Sequence, residues 1–386
     1  MLDIDADLGY YLCNGVTFMS KVDACIYASS VKKPIEWIFH QDIFSKYPWH
    51  IEPQESLDYF YDKRARELRE RYDYIILNYS GGVDSNNMLE SFARQGLHID
   101  EIVTNHLTKA TESTMVLDPR VRSSWNLNAE YKLHVVHRLN EIQNLLPRTK
   151  ITSLDVSDSV FKDIEKYKEE DWTLHRCGQL SPTTPLRHNY FYFSEVKKQL
   201  DKNLKVGVIQ GVDKPITLLD NDNFYFMFTD IATGMTTPGY YNEEYENVKT
   251  ELFYWSVETM PMVCKQVHTV KRWLEERPAR QQYWSNASWA VSRLYHEKLL
   301  RNIVYTTWNN DWYQADKGIN WWHTEFDDWF RNNKQYEKHY ANWERGIKTL
   351  VNMIPDYIIY KDGVPDGLKK FQQRYFVGKL KNLYKA

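Results

Sequence analysis

From about residue 56 to residue 215 the chain alternates between amphipathic stretches and short apolar runs. Ser56 opens the first stretch. Leu57, Phe60, Tyr61 and Leu68 repeat at helical spacing, while Asp62, Lys63, Arg64, Arg66, Glu67, Arg69 and Glu70 fill the other side, a pattern that predicts a capped helix. The period then changes. Tyr74-Ile75-Ile76-Leu77-Asn78-Tyr79 is an apolar, β-branched run of strand length, as expected for a parallel strand covered on both faces. Met88, Leu89, Phe92 and Ala93 return to helical spacing, and Gly96 stands where a helix C-terminal cap belongs. Strands are predicted near 101–105, 150–156 and 205–210, with helices near 127–146, 158–170 and 190–201. This alternation predicts an α/β fold built on a doubly wound, parallel, five-stranded sheet.

Outside that region the pattern is different. Residues 1–55 mix short apolar runs with turn residues and do not declare a type; the run 35–44 reads equally as strand or helix. Apolar runs at 216–219 and 224–228 flank Asp220-Asn221-Asp222-Asn223 and predict a β-hairpin. From about residue 242 the pattern reads as helical and rich in aromatics, including Trp308, Trp312, Trp321, Trp322, Trp329 and Trp343. The expected organisation is an N-terminal segment over 1–55, an α/β domain over 56–240, and an added α-helical lobe over 241–386. That lobe would end in a basic tail carrying Lys369, Lys370, Arg374, Lys379, Lys381 and Lys385. Tryptophans at helical intervals are expected to pack a core.

Composition narrows the class. Hydrophobic residues make up 42% and charged residues 26%, the balance of a globular protein. A net charge of -3 gives no general pull toward nucleic acid or acidic membranes, so any such contact must be local, the basic tail being the candidate for nucleic acid. Cys13, Cys25, Cys177 and Cys264 are scattered and contain no C-x-x-C pair, which points to a reducing cytoplasm. The start, Met1-Leu2-Asp3-Ile4-Asp5, is acidic where a secretory signal is basic, and no run approaches the ~20 apolar residues of a membrane span. No membrane partner is expected.

Candidate chemistry sits directly after the apolar run at 74–79. A triphosphate is held by backbone N–H groups and a helix N-terminus, and close backbone approach needs residues without side chains. Gly81 and Gly82 meet that need. Ser80 and Ser85 add hydroxyls, and Asp84 adds a carboxylate suited to Mg²⁺ or to fixing the loop. The loop joins a buried strand to a helix, the place where open α/β sheets bind ligands. A second constellation, Gln210-Gly211-Val212-Asp213-Lys214-Pro215, ends a later strand and should emerge on the same sheet edge. There Lys214 would stabilise charge on the phosphates and Asp213 would share a metal ion with Asp84.

Ser80-Gly81-Gly82-Val83-Asp84-Ser85 matches the SGGxDS signature, and the chain resembles the PP-loop ATP pyrophosphatase (adenine nucleotide alpha hydrolase-like) superfamily. That group includes GMP, NAD, asparagine and argininosuccinate synthetases and tRNA-thiolating enzymes. The resemblance covers about residues 70–215, and the stretch from Trp49 to Tyr74 is similar to uncharacterised bacteriophage proteins of this kind, which would put a viral member in the host cytoplasm. It implies ATP and Mg²⁺ as cofactors. A substrate oxygen attacks the α-phosphorus, pyrophosphate leaves, and a nucleophile then displaces AMP. By the same resemblance Ser80, Gly81, Gly82, Val83, Asp84 and Ser85 would hold the pyrophosphate portion, with Thr104 and Asn105 near the adenine.

Cysteine placement selects among the relatives. Sulfur transfer commonly needs a catalytic cysteine pair, and Cys177 is the only cysteine after the loop within the expected sheet domain. A glutaminase-type asparagine synthetase needs an N-terminal cysteine, whereas this chain begins Met1-Leu2. The leading expectation is a ligase-type enzyme that adenylates a carboxyl or carbonyl group before amine attack. Alternatives are a tRNA or DNA base-modifying enzyme and a non-catalytic nucleotide-binding module engaging nucleic acid or protein. Arg176 and Arg187, in a Pro-containing stretch, are further substrate candidates, while His175, Cys177 and His188 lack metal-ligand spacing. His134 and His137 read as a polar helix face.

Overall fold

The computed structural model describes residues 6–173, 180, 199, 202–234, 247–284, 299–315, 324–361, 363–381 and 383. The N-terminal segment, untyped by its pattern, forms a three-stranded antiparallel sheet from β1 (Tyr10–Cys13), β2 (Val16–Phe18) and β3 (Glu36–Ile38), ordered β2-β1-β3. Asn14 and Gly15 both take positive φ, as a two-residue turn between right-twisted strands requires. The helix Lys21–Val31 follows, then the predicted helix Leu57–Arg71, whose first turn is capped by Ser56 Oγ accepting from the Tyr59 N–H at 3.1 Å.

The chain then lays down β4 (Tyr74–Asn78), β5 (Glu101–His106), β6 (Lys150–Asp155) and β7 (Val206–Gln210). It turns through the predicted hairpin of β8 (Ile216–Asp220) and β9 (Asn223–Thr229), and adds β10 (Val248–Leu252). Strands β4 to β7 and β10 make an all-parallel sheet in the order β10-β7-β4-β5-β6. This is a Rossmann-like order. The chain moves outward from β4 through β5 to β6, then returns past β4 to β7, so the crevice of the sheet opens between the carboxyl ends of β4 and β7.

The expected α-helical character after residue 241 does not hold. β10 completes the parallel sheet, and three more strands follow: β11 (Ile358–Lys361), β12 (Val364–Leu368) and β13 (Gln372–Lys379). β13 pairs with β9 along its length, so the middle of the basic tail, with Arg374 and Lys379, is a strand of a β13-β9-β8 sheet. Gln373, Tyr375 and Val377 turn inward, while Arg374 pairs with Asp220 at 3.1 Å and lies 3.7 Å over the Tyr225 ring. Lys379 pairs with Asp222 at 2.8 Å. These pairings neutralise part of the tail's charge.

The helices beyond residue 241 are not a separate lobe either. The helix Met260–Glu275 packs on Leu57–Arg71, with Gln266 Nε2 donating to the Tyr61 hydroxyl at 3.1 Å. One buried cluster runs from Leu8 to Leu380 through the parallel sheet, and Trp255, Trp284 and Trp308 belong to it. Phe326 and Phe330, with Trp329 and Trp343 against them, cover the outer helix Ser157–Lys166 in a second cluster. Trp308 is buried, and Trp312, Trp329 and Trp343 pack half-buried against the core, in line with the expectation; Trp321 and Trp322, and all of the expected helix over 190–201 except Gln199, lie outside the described residues.

A buried ion network ties the helix before β4 to the end of β10. Arg64, 1% exposed, donates to Glu251 at 3.0 Å, to the Leu252 carbonyl at 3.0 Å and to Glu258 at 2.7 Å. Arg71 and the Tyr72 hydroxyl donate to the same Glu251 carboxylate at 2.7 and 2.6 Å. Among the described residues no helix is long and apolar enough to cross a membrane.

Candidate active site

Buried Ile75, Ile76 and Leu77 seat β4 in the middle of the sheet, and the loop at 79–82 leaves its carboxyl end. Gly82 is the N-cap of the helix Val83–Ala93 and offers no side chain, so the first-turn N–H groups are not consumed by a side-chain cap. Gly81 has φ +79°, and a Cβ there would lie 2.4 Å from Val135 Cγ2. Both its backbone and its packing demand glycine. Ser80 Oγ accepts from the Gly82 N–H at 3.3 Å and shares a 3.2 Å hydrogen bond with Ser85 Oγ, which also donates to the Gly82 carbonyl at 3.0 Å. The hydroxyls therefore brace the loop from inside. Val83 is buried and anchors the helix start in the core.

The second constellation meets the first. A Cβ at Gly211 would sit 3.1 Å from the Ser85 nitrogen and 3.2 Å from the Asp84 carbonyl carbon, so glycine lets the end of β7 press against the first helical turn. Asn78 Nδ2 donates to Gln210 Oε1 at 2.8 Å across the same crevice. Lys214 Nζ then stands between two carboxylates, 3.1 Å from Asp84 Oδ2 and 3.2 Å from Asp213 Oδ1, and is only 13% exposed. The lysine is thereby fixed beside an uncapped helix N-terminus, the positive end of the helix dipole.

Three tyrosines that the sequence did not single out as site residues complete the surroundings of Asp84. Tyr305 donates to Asp84 Oδ1 at 2.7 Å, and Tyr254 donates to the Asp84 carbonyl at 2.8 Å while accepting from Asn87 Nδ2 at 3.0 Å. Tyr61 donates to the Val304 carbonyl at 2.7 Å and holds the segment that carries Tyr305. Burial, with the Asp84 charge beside them, raises the Tyr254 and Tyr305 phenols well above their ordinary range, so both remain donors. The only sequence signal for this arm is aromatic spacing, Tyr305, Trp308 and Trp312 recurring every three or four residues.

Thr104 and Asn105 stand near the carboxyl end of β5, the strand beside β4, with Thr104 buried. Just beyond them His106 stacks on Tyr131 at 3.7 Å and 19°, and Tyr131 shares a 2.6 Å hydrogen bond with Ser153 of β6. Burial pushes the His106 imidazole down, against the pull of Asp155 at 3.6 Å. Arg176, Arg187, His175, Cys177 and His188 lie outside the described residues. His134 and His137 do not share a polar face. The turn Tyr131–Val135 is π-helical, which breaks the 3.6-residue period; His134 is buried and His137 is exposed.

Cys13, Cys25 and Cys264 are buried, and burial pushes the Cys25 and Cys264 thiols up to about 12. None of these three is an activated nucleophile. A cavity of about 650 Å³ lies away from the loop, among Trp37, Tyr47, Trp49, Arg374, Tyr375 and Phe376. Its size suits a ligand, but it contains none of the loop's chemistry; the convergent charges at β4 and β7 are the stronger mark of an active site. No protein-family model matches the chain, and no curated protein sequence matches it.

Proposed function

We propose that the protein is an adenylating enzyme of the PP-loop ATP pyrophosphatase type. An oxygen of an acceptor carboxyl or carbonyl group attacks the α-phosphorus of ATP, pyrophosphate leaves with the electrons of the α–β bridging bond, and an amine then displaces AMP. The observation that carries this reading is Lys214, held between Asp84 and Asp213 at the crevice where the glycine loop leaves β4.

The loop N–H groups and the helix N-terminus hold the outgoing phosphates, and Lys214 faces the charge that builds as the α–β bond breaks. Asp84 keeps the lysine in place and is itself kept in place by Tyr305 and Tyr254. The base would rest toward the carboxyl end of β5, where Asn105 is half-buried and Thr104, on the opposite face of the strand, is buried. Mg²⁺ commonly takes one or two carboxylates and fills its remaining positions with phosphate oxygens and water. Among the described residues no group of three or more His, Cys, Asp or Glu side chains forms a ready metal site. Asp84 and Asp213, which now share Lys214, are the carboxylates that would hold an ion carried in on the nucleotide, where it would neutralise phosphate charge.

The test is product identity. Purified protein with Mg²⁺-ATP and a panel of carboxylate acceptors, with and without amines, is expected to release AMP and pyrophosphate, and Asp84→Asn to lose that release. ADP and phosphate as the products would overturn the reading. Tight nucleotide binding without turnover on any acceptor would favour a non-catalytic binding module.

A further inference from the structure

We propose that His134 is a ligand of the nucleotide's polyphosphate, with its imidazole Nε2 completing the cradle formed by residues 80–85. This rests on the reading of that loop as a phosphate site. Lys214 reaches the loop from the end of β7; His134 reaches it from the helical segment that follows β5.

Two independent observations meet at this ring. His134 is 4% exposed, yet its Nε2 is buried without a hydrogen-bond partner. Buried polar atoms are nearly always paired, and leaving one unpaired is costly, so the orphan calls for an occupant. The same edge of the ring faces the loop: a Cβ on Gly81 would lie 3.4 Å from His134 Cδ2, the carbon bonded to Nε2. The unpaired atom therefore stands beside the glycine whose left-handed backbone shapes the loop.

The surroundings prevent escape to solvent. Trp312 packs on the ring at 5.5 Å and Trp308 at 6.2 Å, and the two tryptophans meet edge-on at 5.2 Å. Arg138 lies 4.8 Å over Trp312 and donates to Asn86 Oδ1 at 3.1 Å, locking the wall to the helix behind the loop. The π-helical turn Tyr131–Val135 delivers the residue, and such turns occur frequently at functional sites. Trp308 and Trp312 belong to the segment that sends Tyr305 to Asp84, so one stretch of chain orders both the carboxylate and the imidazole.

Burial pushes the His134 imidazole down to about 4, offset in part by a loose hydrogen-bond contact of the ring with the Gly81 backbone that leaves Nε2 unpaired by geometry. The ring is neutral at physiological pH, and its Nε2–H tautomer would bring a donor without a second fixed charge. An incoming polyphosphate would supply the acceptor that Nε2 lacks.

The experiment uses the full chain and two probes, inorganic pyrophosphate and Mg²⁺-ATP, titrated calorimetrically into wild type, His134→Phe and His134→Gln. Phe is expected to weaken pyrophosphate binding about tenfold to a hundredfold, the range of a hydrogen bond to a charged group, with Gln recovering part through its side-chain N–H. In ¹⁵N-histidine-labelled wild type the His134 imidazole resonance should move on adding pyrophosphate. That signal decides the matter should Phe fail to fold. Unchanged affinity in a folded Phe variant, or an unmoved resonance in a pyrophosphate-saturated wild type, would overturn the role of His134 alone. A wild type that binds neither probe would overturn the loop reading and this inference with it.

Discussion

Replacing Lys214 with Ala is expected to slow pyrophosphate release by about 10²- to 10³-fold, the loss typical of removing one group that stabilises developing charge. Lys214 Nζ is the cation common to Asp84 and Asp213, at 3.1 and 3.2 Å. Without it two carboxylates confront the polyphosphate, so affinity for Mg²⁺-ATP should fall as well. Arg is not expected to rescue, because a planar guanidinium is a poor substitute for a compact ammonium placed between two oxygens. Global stability should change far less than the rate, since the lysine lies at the rim of the crevice rather than in the core. The measurement is a pyrophosphate-release assay alongside a thermal melt. A Lys214→Ala protein that turns over at the wild-type rate would remove Lys214 from the chemistry.

Arg64→Ala should destabilise the fold by about 3–5 kcal/mol, the usual cost of stripping the partner from a buried charge. Arg64 is buried, and Glu251 beneath it is 6% exposed on its side chain, so the carboxylate would lose its most buried cation in a poorly solvated place. Arg71 and Tyr72 still reach Glu251 and moderate the loss without replacing the guanidinium. Replacing both members, Arg64→Met with Glu251→Gln, should recover part of the stability, because no unpaired charge then remains. Urea midpoints read this directly. A shift under about 1 kcal/mol would mean that Glu251 is hydrated or that Arg71 alone suffices.

The central part of this architecture was legible because its signals are local. β4 is an uninterrupted apolar run, the glycine pair follows at once, and the next helix has a clear period. Lys214 and Asp213 were readable as well, since Gly-Val-Asp-Lys follows directly on the carboxyl end of a strand and so lies at the same edge as the loop. β10 was hidden by its composition. Val248-Lys249-Thr250-Glu251-Leu252 looks like a polar connection until Arg64, far away in sequence, is seen to bury Glu251. β13 carried a legible two-residue alternation, Gln373, Tyr375 and Val377 inward, but its basic residues drew attention to charge instead of period. The Asn14-Gly15 turn likewise signalled a hairpin in the untyped N-terminal segment. Tyr305 had no local signal for its role: it reaches Asp84 from 221 residues away, through tertiary packing alone. His134 was misread because a π-helical turn rotates it out of register with His137.

In the proposed function, residues 80–85 with Lys214 form the nucleotide's phosphate site. It is tested most directly by a crystal structure of the protein with Mg²⁺ bound to a non-hydrolysable ATP analogue. The outer phosphates are expected against the Gly81 and Gly82 backbone and the first turn of the helix Val83–Ala93, with Lys214 Nζ in hydrogen-bonding reach of a phosphate oxygen and the base toward the end of β5. Nucleotide density seated instead in the cavity beside Trp49 and Arg374, with the loop empty, would contradict it.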